Sequence, residues 1–174
     1  MTLHEKGSVP VSIEERVVLA NAICVVLDAG RIFVFSGYDK ADDQTFYRPL
    51  GGSIEFGETG LECIKREMLE EIGAQVVDGR YIGTLENIFS YEGVPGHQIM
   101  LVYEARFSDP GIYEIDSLEG HEDMPTSIVP HATKSSENAF MAHWIPLADF
   151  RDGSKPLYPD GLLELIDNSA TWAG

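Results

Sequence analysis

An α/β fold, a mixed β-sheet with helices on both faces, is the architecture this sequence predicts. Three observations carry it. Apolar runs broken by turn residues open the chain, one strongly signalled amphipathic helix lies over residues 60–72, and further apolar strands and a short closing helix follow. With 174 residues the chain can bury a sizeable core and reads as one domain over 1–174, with 1–12 a flexible N-terminal tail. No repeat, low-complexity tract or linker divides it.

The elements follow in order. Residues 17–27 are an apolar run, Asp28-Ala29-Gly30-Arg31 supplies a turn, and residues 32–35 return, which reads as a β-hairpin. The polar stretch 39–45 reads as a loop, and Phe46-Tyr47 as a short strand entering Pro49-Leu50-Gly51-Gly52. That glycine-rich turn lets the backbone approach a bound ion or phosphate closely. After the helix, residues 81–90 and 98–107 read as strands joined through Tyr91 to Gly96. Residues 109–138 contain Pro110, Gly111, Gly120, Pro125 and Pro130 and no apolar period. A loop of that length in a compact domain is usually functional. Residues 140–145 form a further strand that places Trp144 in the core, and 161–168 a closing helix after Pro159.

The central helix is specified by its own neighbours in sequence. Thr59 and Glu62 form a capping box. Leu61, Ile64, Met68 and Ile72 share a face suited to packing on a sheet, and Glu62 pairs with Arg66 at i, i+4. Gly73 stands where a left-handed terminator belongs. A helix turns about 100° per residue, so Glu67, Glu70 and Glu71 fall within an arc of roughly 100°. Carboxylates so spaced repel one another by about 0.2–0.5 kcal/mol per pair. They mark either a solvated face or a seat for a hard divalent cation, Mg²⁺ or Mn²⁺.

Residues 52 to 74 resemble the Nudix hydrolase signature, G-x5-E-x7-R-E-U-x-E-E-x-G-U with U a bulky aliphatic residue. Gly52, Glu58, Arg66, Glu67, Met68, Glu70, Glu71 and Gly73 occupy its fixed places in register. Ala74 departs from the last U, and Leu50 intervenes between Pro49 and the glycines, where many members have proline directly before them. The resemblance implies an α/β/α sandwich with a mixed sheet. It also implies Mg²⁺-dependent cleavage of a phosphoanhydride bond in a nucleoside diphosphate linked to another group. By the same resemblance Glu70, Glu71 and the Gly51 carbonyl ligate metal, and Glu67 ligates metal or acts as base, oriented by Arg66. Glu58 braces the loop. Some members place the base on a distant loop, where Glu114, Glu119, Glu122 and Glu137 are the candidates here. Phe46, Tyr47, Phe89 and Tyr91 flank the expected cleft as candidate stacking partners for a nucleobase, and Arg48 is a candidate for a terminal phosphate. Core, rim or surface pairing is the plain alternative for each. A nucleotide-sensing domain without hydrolysis is the alternative function, against which the intact Arg66-Glu67 and Glu70-Glu71 pairs speak.

Charge narrows the partners. The net charge of −17, from 29 acidic and 12 basic residues, opposes the cationic contacts on which polynucleotide binding depends. A small nucleotide-derived substrate arriving as a metal complex is compatible with it. Cys24 and Cys63 are too few for a disulfide framework and read as reduced thiols of a cytoplasmic protein. No segment reaches the roughly 18 apolar residues of a membrane span, and the first ten residues lack the apolar run of a signal peptide. The five histidines show no ligand spacing: His97, His121 and His131 read as loop residues. A homodimer through an apolar strand edge is compatible with the pattern, without an interface that the sequence identifies.

Overall fold

A computed structural model describes residues 17–121 and 139–170. The expected tail over 1–12 therefore lies outside the described residues, as do Glu122, Glu137 and His131. The first hairpin pairs β1 (Leu19–Asp28) with β2 (Arg31–Asp39) through a two-residue turn. Ala29 and Gly30 both have positive φ, 46° and 78°, as a turn that follows the right-handed twist of its strands requires. β1 and β2 pair only beside this turn, at Leu27–Ile32 and Asp28–Arg31. Beyond it they splay, because each takes a different partner. β3 (Gln44–Arg48) folds back antiparallel on β2, and β4 (Leu50–Ser53) lies antiparallel on β1.

After helix α1 (Gly60–Ile72), β5 (Val76–Tyr91) and β6 (Val94–Phe107) form a long hairpin. β6 runs parallel to β1 from Leu19–Gln98 to Val26–Ala105. A 3₁₀ turn at Pro110–Glu114 leads to β7 (Ser117–His121), which pairs with β8 (Ala139–Pro146). The short helix α2 (Leu147–Arg151) and α3 (Leu162–Ala170) close the chain. The main path is β5-β6-β1-β2-β8-β7, a mixed sheet with one parallel step.

β1 explains the layering. Its alternate residues Ala22, Cys24 and Val26 pack with Cys63, Ile64 and Met68 of α1 on one side. Ile23 and Val25 pack with Leu147, Phe150, Leu162 and Ile166 on the other. A strand buried on both faces reads as a continuous apolar run rather than an alternation, which is how 17–27 reads. The result is the expected α/β/α sandwich, with Trp144 in its core at 7% exposure. Among the described residues no helix is long and apolar enough to cross a membrane.

Four local expectations are corrected. The polar loop shrinks to residues 40–43, since β2 extends to Asp39 and β3 starts at Gln44. Leu50–Ser53 is a strand rather than an open turn, because β1 offers it a ladder. The 91–96 connection is a two-residue turn at Glu92 and Gly93 (φ 49° and 78°), which places His97 on β6, where it meets Glu86 at 2.9 Å. The first part of 109–138 is ordered by the 3₁₀ turn and β7. Asp39, 6% exposed, accepts the backbone N–H of Glu92 at 3.2 Å and so ties the tip of β2 to the β5–β6 turn.

Candidate active site

The helix that carries the carboxylates is α1, and its limits are those its caps specify. Thr59 Oγ1 accepts from Glu62 N at 3.3 Å, while Glu62 Oε2 accepts from Thr59 N at 2.8 Å. Gly73 ends the helix at φ 66°. Glu62 is thereby committed to the cap, and the expected pair with Arg66 does not form. Arg66 turns the other way. Its Nε and Nη2 donate to the two oxygens of Glu58 at 2.8 and 2.9 Å, its Nη1 to Glu67 at 2.8 Å and Glu70 at 3.1 Å, and its Nη2 to the Ser53 carbonyl at 3.1 Å. One planar guanidinium thus joins the loop before the helix, the end of β4 and two of the three box carboxylates. A lysine, with a single point charge, could not hold that fork.

The three carboxylates sit in three environments. Glu70 is the exposed one, its side chain 61% accessible. Glu71 is buried. Glu67 lies between, and burial pushes its carboxyl above the usual glutamate range despite the Arg66 hydrogen bond that pulls the other way. Glu58 shifts in the opposite direction: its hydrogen bonds to Arg66 hold it below that range. Cys63 is buried against the Gly52 and Ser53 carbonyls, its thiol pushed up to about 12 mainly by burial, and is no nucleophile.

Glu58 makes a linkage prediction. A carboxylate whose pKa is depressed on folding contributes stability above its unfolded pKa, about 4.3 for glutamate, and loses it as the pH falls through the folded value. Glu67, shifted upward, acts in the opposite sense over its own window in the metal-free protein. Between pH 7 and pH 3 the urea midpoint of the metal-free protein is therefore expected to fall less in Glu58→Gln than in wild type. Equal falls in the two would remove Arg66–Glu58 as a stabilising pair.

β4 brings the backbone to this cluster. A methyl group on Gly52 would overlap the Glu67 carboxylate, so the carboxylate rests directly on the strand backbone. Gly51, at φ 138°, has no room for a Cβ against Ala22 and Ile23. Ile54 N donates to Ala20 O at 2.9 Å, which sets the phase of the β1–β4 ladder. Alternation then makes Ala22–Gly52 a hydrogen-bonded pair and Ile23–Gly51 a non-bonded one, so the Gly51 carbonyl turns to the edge of β4 away from β1. Gly52→Ala is expected to keep a wild-type circular dichroism spectrum yet lose about tenfold or more of turnover, a rough scale for a displaced acid–base group. Full activity in that variant would show that Glu67 need not lie against β4.

Among the described residues, no three His, Cys, Asp or Glu side chains are gathered so as to hold a metal ion, because Glu67 and Glu70 are both turned onto Arg66. The donor set nevertheless suits a hard cation, being carboxylate and carbonyl oxygen throughout.

The remaining candidates fall into two groups. Phe46 meets Tyr91 edge-on at 6.0 Å and Phe35 at 6.2 Å, and the Arg48 guanidinium lies over the Phe35 ring at 4.6 Å. The structure therefore brings Phe46, Tyr91 and Arg48 into one aromatic cluster. Tyr158, which sequence reasoning did not single out, joins it through Phe46 at 6.2 Å. Only the tertiary contact of residues 156–158 with Tyr47 puts it there, through Tyr47 N to Pro156 O and Tyr158 N to Tyr47 O. Tyr47 faces the other way, onto Phe150, and Phe89 covers Gly96. Of the loop carboxylates, Glu114 is exposed on the 3₁₀ turn and Glu119 is exposed on β7, the strand packed beside α1.

A family model of the NUDIX domain matches residues 18–161, which contain the sheet, α1 and the Arg66 cluster. The chain belongs to the NUDIX family. It is similar to the NAD-capped RNA hydrolase NudC of Chromobacterium violaceum, 35% identical over 94 residues, which make up 47% of this chain and 33% of that protein. The chain thus spans about a third of that relative's length. Its NUDIX fold resembles a MutT NUDIX hydrolase from Burkholderia pseudomallei at TM-score 0.57 and 16% identity, covering 86% of this chain and 97% of that one. It resembles a NUDIX hydrolase from Nitrosomonas europaea at TM-score 0.59 and 11% identity, covering 89% and 90%.

Proposed function

We propose that this Nudix domain cleaves the pyrophosphate of a small nucleoside diphosphate linked to another group, with Mg²⁺ as cofactor and Mn²⁺ able to replace it. The observation that carries the reading is the Arg66 fork, which fixes Glu67 against β4 while tying it to Glu58 and Glu70. Glu67, Glu70, Glu71 and the Gly51 carbonyl would hold the cation. Bound there, it would offset diphosphate charge and lower the pKa of water.

The chain's own residues do the rest. Glu67 accepts the proton of the attacking water, a role open to a carboxylate that Arg66 holds against β4 at the edge of the acidic cluster. Arg66 keeps it oriented. Water adds to one phosphorus, the bridging P–O bond breaks, and a nucleoside monophosphate leaves with the phosphorylated remainder. The net charge of −17 favours a small nucleotide over a polymer. The named substrate of the NudC relative, NAD-capped RNA, carries a pyrophosphate of the same class on a polymer.

A panel of nucleotides incubated with Mg²⁺ tests the proposal. Release of a nucleoside monophosphate that needs the metal and falls at least about a hundredfold in Glu71→Gln is the expected result. Tight binding of a nucleotide with no turnover would instead favour the sensing domain.

A further inference from the structure

On the sheet face opposite α1, two polar side chains are buried where the α2–α3 apolar layer ends. Asn21 of β1 and Gln98 of β6 are each 4% exposed, and the next residues along that face, Ile23 and Met100, belong to the layer itself. Gln98 Oε1 accepts from Asn87 Nδ2 at 3.2 Å. Asn21 Nδ2 meets Ser53 Oγ at 3.4 Å, but among the described residues the buried Asn21 Oδ1 has no hydrogen-bond partner. Folded chains seldom leave a buried acceptor so, because it has given up its water for nothing. Neither the core nor the catalytic cluster uses this oxygen.

β4 connects it to the chemistry. Successive strand residues face opposite sides. Gly52 faces Glu67, and the next residue, Ser53, faces Asn21 across the β1–β4 ladder. Among the described residues β4 pairs with β1 alone, so its other edge is open. A nucleotide with its diphosphate beside Gly51 and Glu67 can pass round that edge and lay its base on the Asn21 side. Gly161 approaches Leu85, two residues before Asn87, so the segment leading into α3 walls the same face.

We propose that Asn21 reads the nucleobase, its Oδ1 accepting a hydrogen bond from an exocyclic amine, so that amino bases such as adenine and cytosine are preferred over their oxo counterparts. The proposal rests on the hydrolase function above and names its substrate class. Ser53 steadies the carboxamide, and Gln98 with Asn87 completes the polar floor.

Matched nucleotides that differ only at that position, ATP against ITP and CTP against UTP, test it with Mg²⁺ present. The amino member of each pair is expected to have the higher kcat/KM by about tenfold or more, since an oxo base would set acceptor against acceptor. Asn21→Leu should bring each pair within about twofold, chiefly through KM. Asn21→Asp keeps an acceptor and should keep the preference, so the test survives a Leu variant that does not fold. No preference in the wild type, or an undiminished one in Asn21→Leu, overturns the assignment. Absence of all hydrolysis would count against the hydrolase function instead, and calorimetric binding of the same nucleotide pairs would then decide whether Asn21 discriminates between them.

Discussion

Arg66→Met should lower both stability and activity. The substitution keeps the aliphatic stem and removes donors to Glu58, Glu67, Glu70 and the Ser53 carbonyl. Glu58 and Glu67 are left as poorly hydrated carboxylates, their side chains 13% and 15% exposed, facing one another without a cation. Breaking a fully buried pair costs about 3–5 kcal/mol. Glu70 is largely in water and adds little, so about 2–3 kcal/mol is the expected loss for the partly open cluster. In a domain of this size that lowers Tm by roughly 5–10 °C. Turnover should fall about a hundredfold or more, because the group that orients Glu67 is gone. Arg66→Lys restores the charge without the fork and should recover stability better than rate. Thermal scans and steady-state rates on the three proteins check this, and a Met variant that melts and turns over like wild type would contradict it.

Glu67→Gln separates chemistry from binding. The amide is isosteric, can still accept from Arg66 through its carbonyl oxygen, and removes a charge that burial disfavours. The fold should be untouched. A carboxylate that accepts the proton of attacking water contributes about 10²–10⁴ in rate, so kcat should drop by that factor with KM within a few-fold. Should kcat fall less than about tenfold, the base lies elsewhere, and Glu119, on β7 beside α1, is one candidate to test next.

The helix and its caps were legible because every interaction that sets them is local. Thr59 with Glu62, the apolar positions of Ile64 and Met68, and Gly73 all act within a few residues, and α1 runs from Gly60 to Ile72 as they require. Glu62–Arg66 shows where local reasoning fails. Spacing allowed the pair, but Glu62 was already bound at the cap and Arg66 found better partners eight and thirteen residues upstream, at Glu58 and Ser53. The glycines read as an open turn because nothing near them in sequence reveals the ladder that β1 supplies.

By itself, then, the sequence determined the helix, its register of acidic side chains, the box spacing and the apolar run that forms β1. Those rest on contacts within a few residues or on a local pattern of side chains. Only the tertiary structure decided that Arg66 gathers Glu58, Glu67 and Glu70, that Gly51 to Ser53 form a strand paired to β1, and that Tyr158 joins Phe46 while Asn21 meets Ser53. Each of these needs segments far apart in the chain to meet, and no short-range preference records which distant partner a side chain will find when the loops between them close.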